Sequence, residues 1–233
     1  MGLGGGGAGR GCGEPSTRPP WSQNRQKATL LGLDALRNVT IVDADLTAGP
    51  AALAAALAGA DAVVCAAGAR PGPGSGDAAA IDEAGTIALI NAAVAQGGVR
   101  RFVLLSSILT NGAAIGQTFN PAYLFLEYAS GHVLTHKLAA ERALRGSGLD
   151  WGVLRPGGLS SEPAAAVGAP VLSGEDTLMG RPSDPGTAVS RATVAAVLVA
   201  MIGAPGGGGK VVELVASRAA PEPADLAAAL AAV

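Results

Sequence analysis

Short apolar runs alternate with longer alanine-rich segments along most of this chain, and this alternation restricts the possible folds more than any other feature. Largely apolar runs of strand length occur at residues 39–42, 62–66, 102–105, 151–154 and 211–215. Such runs, bounded by turn-forming residues, indicate strands that are buried on both faces. The sequence therefore predicts a sheet built from these buried strands.

The segments between the strands have the composition of helices. Helices are predicted at residues 50–57, 81–96, 133–145, 191–202 and 223–233. Strands that alternate with helices indicate βαβ units and a parallel sheet. Because the strands lack a polar face, helices are expected to cover both sides of the sheet. We predict an α/β fold with a doubly wound parallel sheet.

Composition and charge exclude several classes of protein. Aromatic residues make up 3% of the 233 residues, so the core must consist mainly of alanine, valine and leucine. The formal net charge of −2 gives no general attraction for nucleic acid, and none is expected as a partner. No apolar run reaches the ~18 residues of a membrane-spanning helix, so no membrane span is predicted. Cys12 and Cys65 are predicted to be free thiols because two separate cysteines form no disulfide framework.

Residues 1–28 differ from the rest of the chain. Glycine dominates the first half of this stretch, and proline and polar residues dominate the second half. Such a stretch buries too little apolar surface to offset the entropy of ordering it. We therefore predict a disordered segment at residues 1–28 and one domain at residues 29–233.

The residues that directly follow the predicted strands are candidates for ligand binding. In an open parallel sheet, ligands bind beyond the carboxyl ends of the strands. The candidates at these ends are Asp45, Ala66, Ala67, Gly68, Ser106, Ser107, Pro156, Gly157 and Gly158. Small residues let a flat ligand approach the backbone, serine hydroxyls can bond a carbonyl or a ribose, and Asp45 can accept from an adenine amino group. The alternative, that these are ordinary loop residues, stays open on position alone.

Several of these segments resemble the atypical short-chain dehydrogenases/reductases. The resemblance lies in residues 41–47, 62–68 and 85–93. Residues 102–117, 120–123, 137–141 and 154–159 are similar to a plant and algal chloroplast branch of that group, which is related to the dehydrogenase-like component of the inner-envelope import translocon. The resemblance extends over residues 27–233. It implies an NAD(P)-binding Rossmann-type fold, NADP or NAD as the cofactor, and a chloroplast location.

The resemblance also implies roles for individual residues. Short-chain dehydrogenases use Tyr-x-x-x-Lys, in which the lysine lowers the tyrosine pKa so that the tyrosine exchanges a proton. Lys137 lies in the matching helix, but Val133 stands four residues before it. Tyr123 and Tyr128 are nearby candidates for the tyrosine, and the alternative is that they only pack their rings. The predicted catalytic set is Lys137, Ser107 and Tyr123.

The same resemblance implies how a dinucleotide is held. Ser106 and Lys137 are expected to bind the nicotinamide ribose, and residues 156–158 are expected to border the nicotinamide. Members of the group begin with a strand, a glycine-rich GxxGxxG turn and a helix whose N-terminus binds the pyrophosphate. Residues 2–7 match GxGxxG, but Met1 alone precedes them and no strand does. We therefore expect a sheet without the first β-α-β segment, in a chain that is a truncated or mis-started member of the group.

A metal site is not predicted. His132 and His136 are four residues apart and therefore share one face of a helix. Zinc sites need a third or fourth protein ligand, and neither a HExxH motif nor a cysteine cluster supplies one. Asp82 and Glu83 begin a predicted helix, where carboxylates interact favourably with the helix dipole.

Two functions follow from these features, together with a third possibility. The first is an NADP(H)-dependent oxidoreductase that acts on an unknown small molecule, with the dinucleotide supplying the hydride. The second is a non-catalytic, dinucleotide-responsive scaffold that associates with a chloroplast complex as a peripheral membrane partner. The third is a truncated form that no longer binds the cofactor.

Overall fold

The computed structural model describes residues 25, 27–69, 77–204 and 206–233, and the chain divides into two units between Ala44 and Asp45. In the first unit, residues 27–30 are helical and a 3₁₀ turn follows at Leu33–Ala35. The glycine-rich match at residues 2–7 lies outside the described residues, as does most of the segment predicted to be disordered. The division into domains at residue 28 therefore stays a prediction.

The strand predicted at residues 39–42 is not formed. These residues have irregular backbone, and Val39 and Val42 are exposed. A β-branched run forms a strand only when a second strand pairs with it. The described part of the first unit, residues 25 and 27–44, contains no such strand, so this prediction was wrong.

The second unit is built on a mostly parallel sheet, as predicted. Its strands are β1 (Ala62–Cys65), β2 (Arg101–Leu105), β3 (Asp150–Pro156), β4 (Gly158–Ser160), β5 (Ala169–Ser173), β6 (Ala188–Ser190) and β7 (Lys210–Ser217). The main sheet has the order β1-β2-β3-β7-β5, and β4 and β6 form a separate pair. Strand β5 runs antiparallel to β7, whereas the other neighbours are parallel. The antiparallel edge and the small β4–β6 pair were not predicted.

Helices cover both faces of the sheet. They are α1 (Pro50–Ala56), α2 (Thr86–Gln96, preceded by a π-helical turn at Ala79–Gly85), α3 (Pro121–Leu124, continued by a π-helical turn at Phe125–Ala129), α4 (Val133–Arg145), α5 (Ala164–Val167), α6 (Arg191–Gly203) and α7 (Leu226–Ala231). Phe102 and Leu104 of β2 pack with α1, α2 and α4, whereas Val103 packs with α6 and α7. Since successive residues of a strand point to opposite faces, the sheet is doubly wound. No helix within the described ranges is long and apolar enough to cross a membrane.

A buried guanidinium connects the carboxyl end of β3 to a neighbouring helix. Arg155 of β3 is 0% exposed. Its Nε donates to Oε1 of Glu141 at 3.0 Å and its Nη2 donates to Oε2 at 2.7 Å, so the pair with α4 is bidentate. Burial alone would lower the pKa of Arg155, but the hydrogen bond to Glu141 and the surrounding carboxylates outweigh it and raise the pKa. Arg155 therefore stays charged although water cannot reach it.

The same guanidinium reaches the loop after β5 and the neighbouring strand β7. Its Nη1 donates to Asp176 at 2.8 Å and lies 3.5 Å from Oε1 of Glu213. Glu213 of β7 in turn accepts the backbone N–H groups of residues 176–178. Burial raises the pKa of Glu213, and these backbone bonds and Arg155 oppose the rise. The loop is thus fixed to the sheet by buried charges.

Removal of the guanidinium should destabilise the fold strongly. Arg155→Met removes the bidentate partner of buried Glu141 and leaves only Arg145, 3.6 Å away, as a cationic neighbour; the loss of a buried pair costs about 3–5 kcal/mol. Urea denaturation followed by circular dichroism measures the free energy of unfolding. Arg100→Met is the matched control because Arg100 pairs with Asp61 while their side chains are 82% and 75% exposed; it should cost less than about 1 kcal/mol. Equal losses in the two variants would show that Arg155 does not have this role.

Candidate functional site

Strands β1, β2 and β3 end at a single cavity of about 620 Å³. The register pairs Cys65 with Leu104 and Leu105 with Leu154, so the three strand ends lie side by side. The predicted site residues that line the cavity are Ala66, Ala67, Gly68, Ser106, Ser107, Lys137, Pro156, Gly157 and Gly158. A cavity of this size, with apolar walls and a few polar groups, has the form of a small-molecule site.

Two predicted site residues lie elsewhere. Tyr123 is buried in an apolar cluster with Leu109 and Leu134, and burial together with Glu127 raises its pKa. It is not among the residues that line the cavity. Asp45 accepts from the backbone N–H and the hydroxyl of Thr47, and these bonds lower its pKa. Asp45 does not line the cavity either.

A buried ion pair holds Lys137, one of the side chains that line the cavity. Nζ of Lys137 lies 2.7 Å from Oδ1 of Asp82, whose side chain is 0% exposed. The other oxygen of Asp82 accepts the N–H of Ala69 at 2.8 Å. A Cβ on Gly68 would lie 3.1 Å from Asp82 Oδ1 and 3.3 Å from Lys137 Nζ, so a larger residue would crowd the pair. The carboxylate therefore holds Lys137 at the cavity.

Asp82 was not predicted as a site residue. Its place at the start of a predicted helix accounted for the carboxylate, and it does lie in the π-helical turn before α2. Its partner Lys137 lies on α4, far along the chain. The signal that could have identified it is the type of residue: a carboxylate on a helix that packs against the helix of the candidate lysine.

The two adjacent serines have different hydrogen-bonding roles. Ser106 is buried and its Oγ donates to Oε1 of Glu141 at 2.5 Å. That same oxygen binds Nε of Arg155, so it is held in place. A hydroxyl has a single proton to donate, and Ser106 can therefore act toward the cavity only as an acceptor. Ser107 forms no side-chain hydrogen bond within the part of the chain that the structure describes, and its proton is available to a ligand.

The two histidines predicted to share a helix face bind separate carboxylates, and His132 precedes α4 with left-handed backbone. Nδ1 of His132 lies 3.2 Å from Glu127, and Nδ1 of His136 lies 2.6 Å from Glu83. Across residues 25, 27–69, 77–204 and 206–233, no group of three or more metal-ligating side chains could hold a metal ion.

Comparisons with known proteins identify a family. A profile described as NAD(P)H-binding matches residues 23–205. A chloroplastic, uncharacterized protein of Arabidopsis thaliana is 42% identical over 186 residues, which are 79% of this chain and 63% of that protein. An uncharacterized sugar epimerase of Bacillus subtilis is 30% identical over 153 residues, which are 65% of this chain and 64% of that protein. The chain thus spans less than two thirds of the length of these relatives.

Solved structures share the fold. A candidate NAD-dependent epimerase/dehydratase of Bacillus halodurans is 28% identical, with a TM-score of 0.64, and the match covers 83% of this chain and 78% of that one. An oxidoreductase of Lactococcus lactis gives a TM-score of 0.65 at 23% identity, with 84% and 78% covered. A short-chain dehydrogenase/reductase of Veillonella parvula in complex with NADP gives a TM-score of 0.57 at 17% identity, and the match covers 82% of this chain and 78% of that one. The last two establish likeness of fold alone.

Substitution of the two serines should affect stability unequally. Ser106→Ala removes a hydrogen bond to a buried carboxylate, and such bonds contribute about 1.5–3 kcal/mol. Ser107→Ala removes no bond within the described residues and should change stability by about 0.5 kcal/mol or less. Urea denaturation of both variants measures the difference. An equal loss in both would mean that the Ser106 proton is not committed to Glu141.

Proposed function

Because this chain belongs to the NAD(P)H-binding family whose profile it matches over residues 23–205, we propose that it is an NADP(H)-dependent oxidoreductase of the atypical short-chain dehydrogenase type. The observation that carries the proposal is the cavity at the strand ends, which is lined by Lys137 and by Ser107, whose hydroxyl has no hydrogen-bond partner among the described residues. The cavity lies where Rossmann-type sheets bind dinucleotides. The proposed substrate is a small molecule with a carbonyl or quinone oxygen.

The residues present suit the nicotinamide half of a dinucleotide. An ammonium group beside serine hydroxyls is a suitable donor and acceptor set for ribose hydroxyls. Lys137 and Ser106 would bind the ribose, Gly68 would leave room for it, and Gly157 and Gly158 would border the ring. When bound, the dinucleotide supplies or accepts a hydride. For the pyrophosphate, the described strand ends offer no glycine-rich turn into a helix, so no residues are assigned to it.

The protein's own part in the reaction is orientation. Ser107 would donate its proton in a hydrogen bond to the substrate oxygen, which grows more negative as the hydride arrives. The ion pair with Asp82 would keep Lys137 in place, and the apolar walls would exclude water. We assign the donor role to Ser107 rather than to Tyr123 because the tyrosine does not line the cavity.

A dinucleotide-responsive scaffold is the second candidate. One observation favours it: no tyrosine is found among the described residues that line the cavity, and Val133 occupies the usual tyrosine position. We propose a chloroplast location on the basis of the Arabidopsis relative's name. A link to the import translocon, or to another peripheral membrane partner, is an expectation of the sequence resemblance alone.

Binding of NADPH tests the proposal directly. Energy transfer from tryptophan to bound NADPH should report saturable binding by the folded chain. Lys137→Met should weaken binding about tenfold or more, since hydrogen bonds to charged groups contribute about 1.5–3 kcal/mol. Arg100→Gln, at the opposite end of the strands, should leave the affinity unchanged. Absence of binding by a chain that circular dichroism shows to be folded would refute cofactor binding.

Turnover distinguishes the oxidoreductase from the scaffold. If the protein is an oxidoreductase, it should catalyse the oxidation of NADPH by a quinone, measured as loss of the NADPH absorbance. A scaffold should not catalyse this reaction. Ser107→Ala should lower kcat/KM about 10²-fold, as loss of a donor to a developing negative charge does, while the Kd for NADPH stays the same. Binding without any oxidation of NADPH by a panel of quinones, flavins and dyes would support the scaffold instead.

A further inference from the structure

The charges on the cavity wall do not cancel. Two cationic side chains line it, Lys137 and Arg191, and no carboxylate is among its described lining residues. The charge of Lys137 is neutralised by Asp82, which does not itself line the cavity. Arg191, the first residue of α6, forms no ion pair with a described carboxylate. Among its described lining residues, the cavity therefore presents one uncompensated positive charge to a ligand.

The guanidinium of Arg191 is held so that one edge stays free. Its Nη1 donates to Oγ of Ser161 at 2.9 Å and to the carbonyl oxygen of Leu159 at 3.4 Å. Its Nε and Nη2 donate to no acceptor within the described chain. These two nitrogens form the edge of a guanidinium that binds a carboxylate, sulfonate or phosphate through two parallel hydrogen bonds. Because both acceptors at Nη1 are neutral, they orient Arg191 without cancelling its charge.

Away from Arg191 the cavity is lined mostly by apolar side chains. Leu105, Ile108, Leu109 and Leu126 line it. Phe125 also lines it and stays 53% exposed although it is large and apolar. An apolar surface open to solvent beside a cavity is typical of a ligand site. The described part of the wall is therefore an apolar surface with one edge that can bind an anion, the Nε–Nη2 edge of Arg191.

We propose that the cavity takes a substrate with an apolar body and one anionic group, and that Nε and Nη2 of Arg191 bind this group and select for it. The substrate assignment rests on the proposed function, whereas the preference for an apolar anion rests on the wall itself. An anionic group of this kind has two sources, a carboxylate of the substrate or a phosphate of the dinucleotide. Arg191 is bonded to Leu159 and Ser161, which lie beyond the residues assigned to the nicotinamide, so we assign it to the substrate.

Two fluorescent probes test the charge preference. 8-Anilinonaphthalene-1-sulfonate and N-phenyl-1-naphthylamine share an apolar body, and only the first carries an anion. The wild-type chain should bind the sulfonate about tenfold more tightly, since a charge-assisted hydrogen bond contributes that much. Arg191→Gln should remove this advantage and change the affinity for the neutral probe less than about twofold. Phe125→Ala should lower the affinity for both probes, because it removes part of the apolar wall that both probes contact.

A neighbouring arginine provides the matched control. Arg181 lines an adjoining cavity of about 380 Å³ and donates to Gln117. Arg181→Gln lowers the net charge by the same amount as Arg191→Gln and should leave both probes unaffected. Equal affinity of the two probes for the wild-type chain, or loss of sulfonate binding in both arginine variants, would overturn the proposal.

The affinity for NADPH separates the two sources of the anion. An unchanged Kd in Arg191→Gln supports the substrate assignment. A Kd raised about tenfold, with displacement of the sulfonate probe by NADPH, would assign Arg191 to a cofactor phosphate and overturn the substrate assignment. If the wild-type chain binds no NADPH but keeps its preference for the sulfonate, the proposed function fails while the anion selectivity of Arg191 stands.

Discussion

The fold and the site both depend on the buried pair of Arg155 and Glu141. An unpaired charge in this position would be costly, so β3, α4, β7 and the loop at residues 174–178 are held in the one arrangement that satisfies the guanidinium. The pair also fixes the carboxylate that takes the proton of Ser106. The charge cluster that orders the carboxyl end of the sheet thus also determines that Ser107, and not Ser106, can donate a hydrogen bond to a ligand.

Local patterns predicted most of the regular structure. The helix predicted at residues 133–145 has those bounds in the structure, and the buried strands from residue 62 onward are present. Those features arise from periodicity and glycine caps, which neighbouring residues determine. The run at residues 39–42 has equal β propensity but forms no strand, because a strand also needs a partner that propensity cannot supply. The strand β5 was missed because its pairing with β7 is long-range and its segment contains Pro170.

The candidate site was predictable in position but not in detail. The rule for open parallel sheets predicted which loops would meet, and it grouped Gly68, Ser107 and Gly157 at one cavity. It could not distinguish the roles of the two serines, which depend on Glu141. It also gave no reason to select Asp82, because the role of this carboxylate depends on its ion pair with Lys137, which only the structure shows. Pairings between distant helices are decided by packing, and a single sequence does not display them.

The segment between β3 and α6, residues 157–190, has a consequence for how this protein family can diversify. Residues 157–190 contribute part of the cavity wall, and they are joined to the main sheet by β5 at its edge, by the charged loop that follows, and by the bond from the N–H of Gly157 to the carbonyl of Leu214. Changes in the length or composition of such a segment leave the order of the central strands intact. Changes at its cavity-lining positions would therefore alter which ligand fits, while the buried contacts of this segment and the order of the central strands are kept.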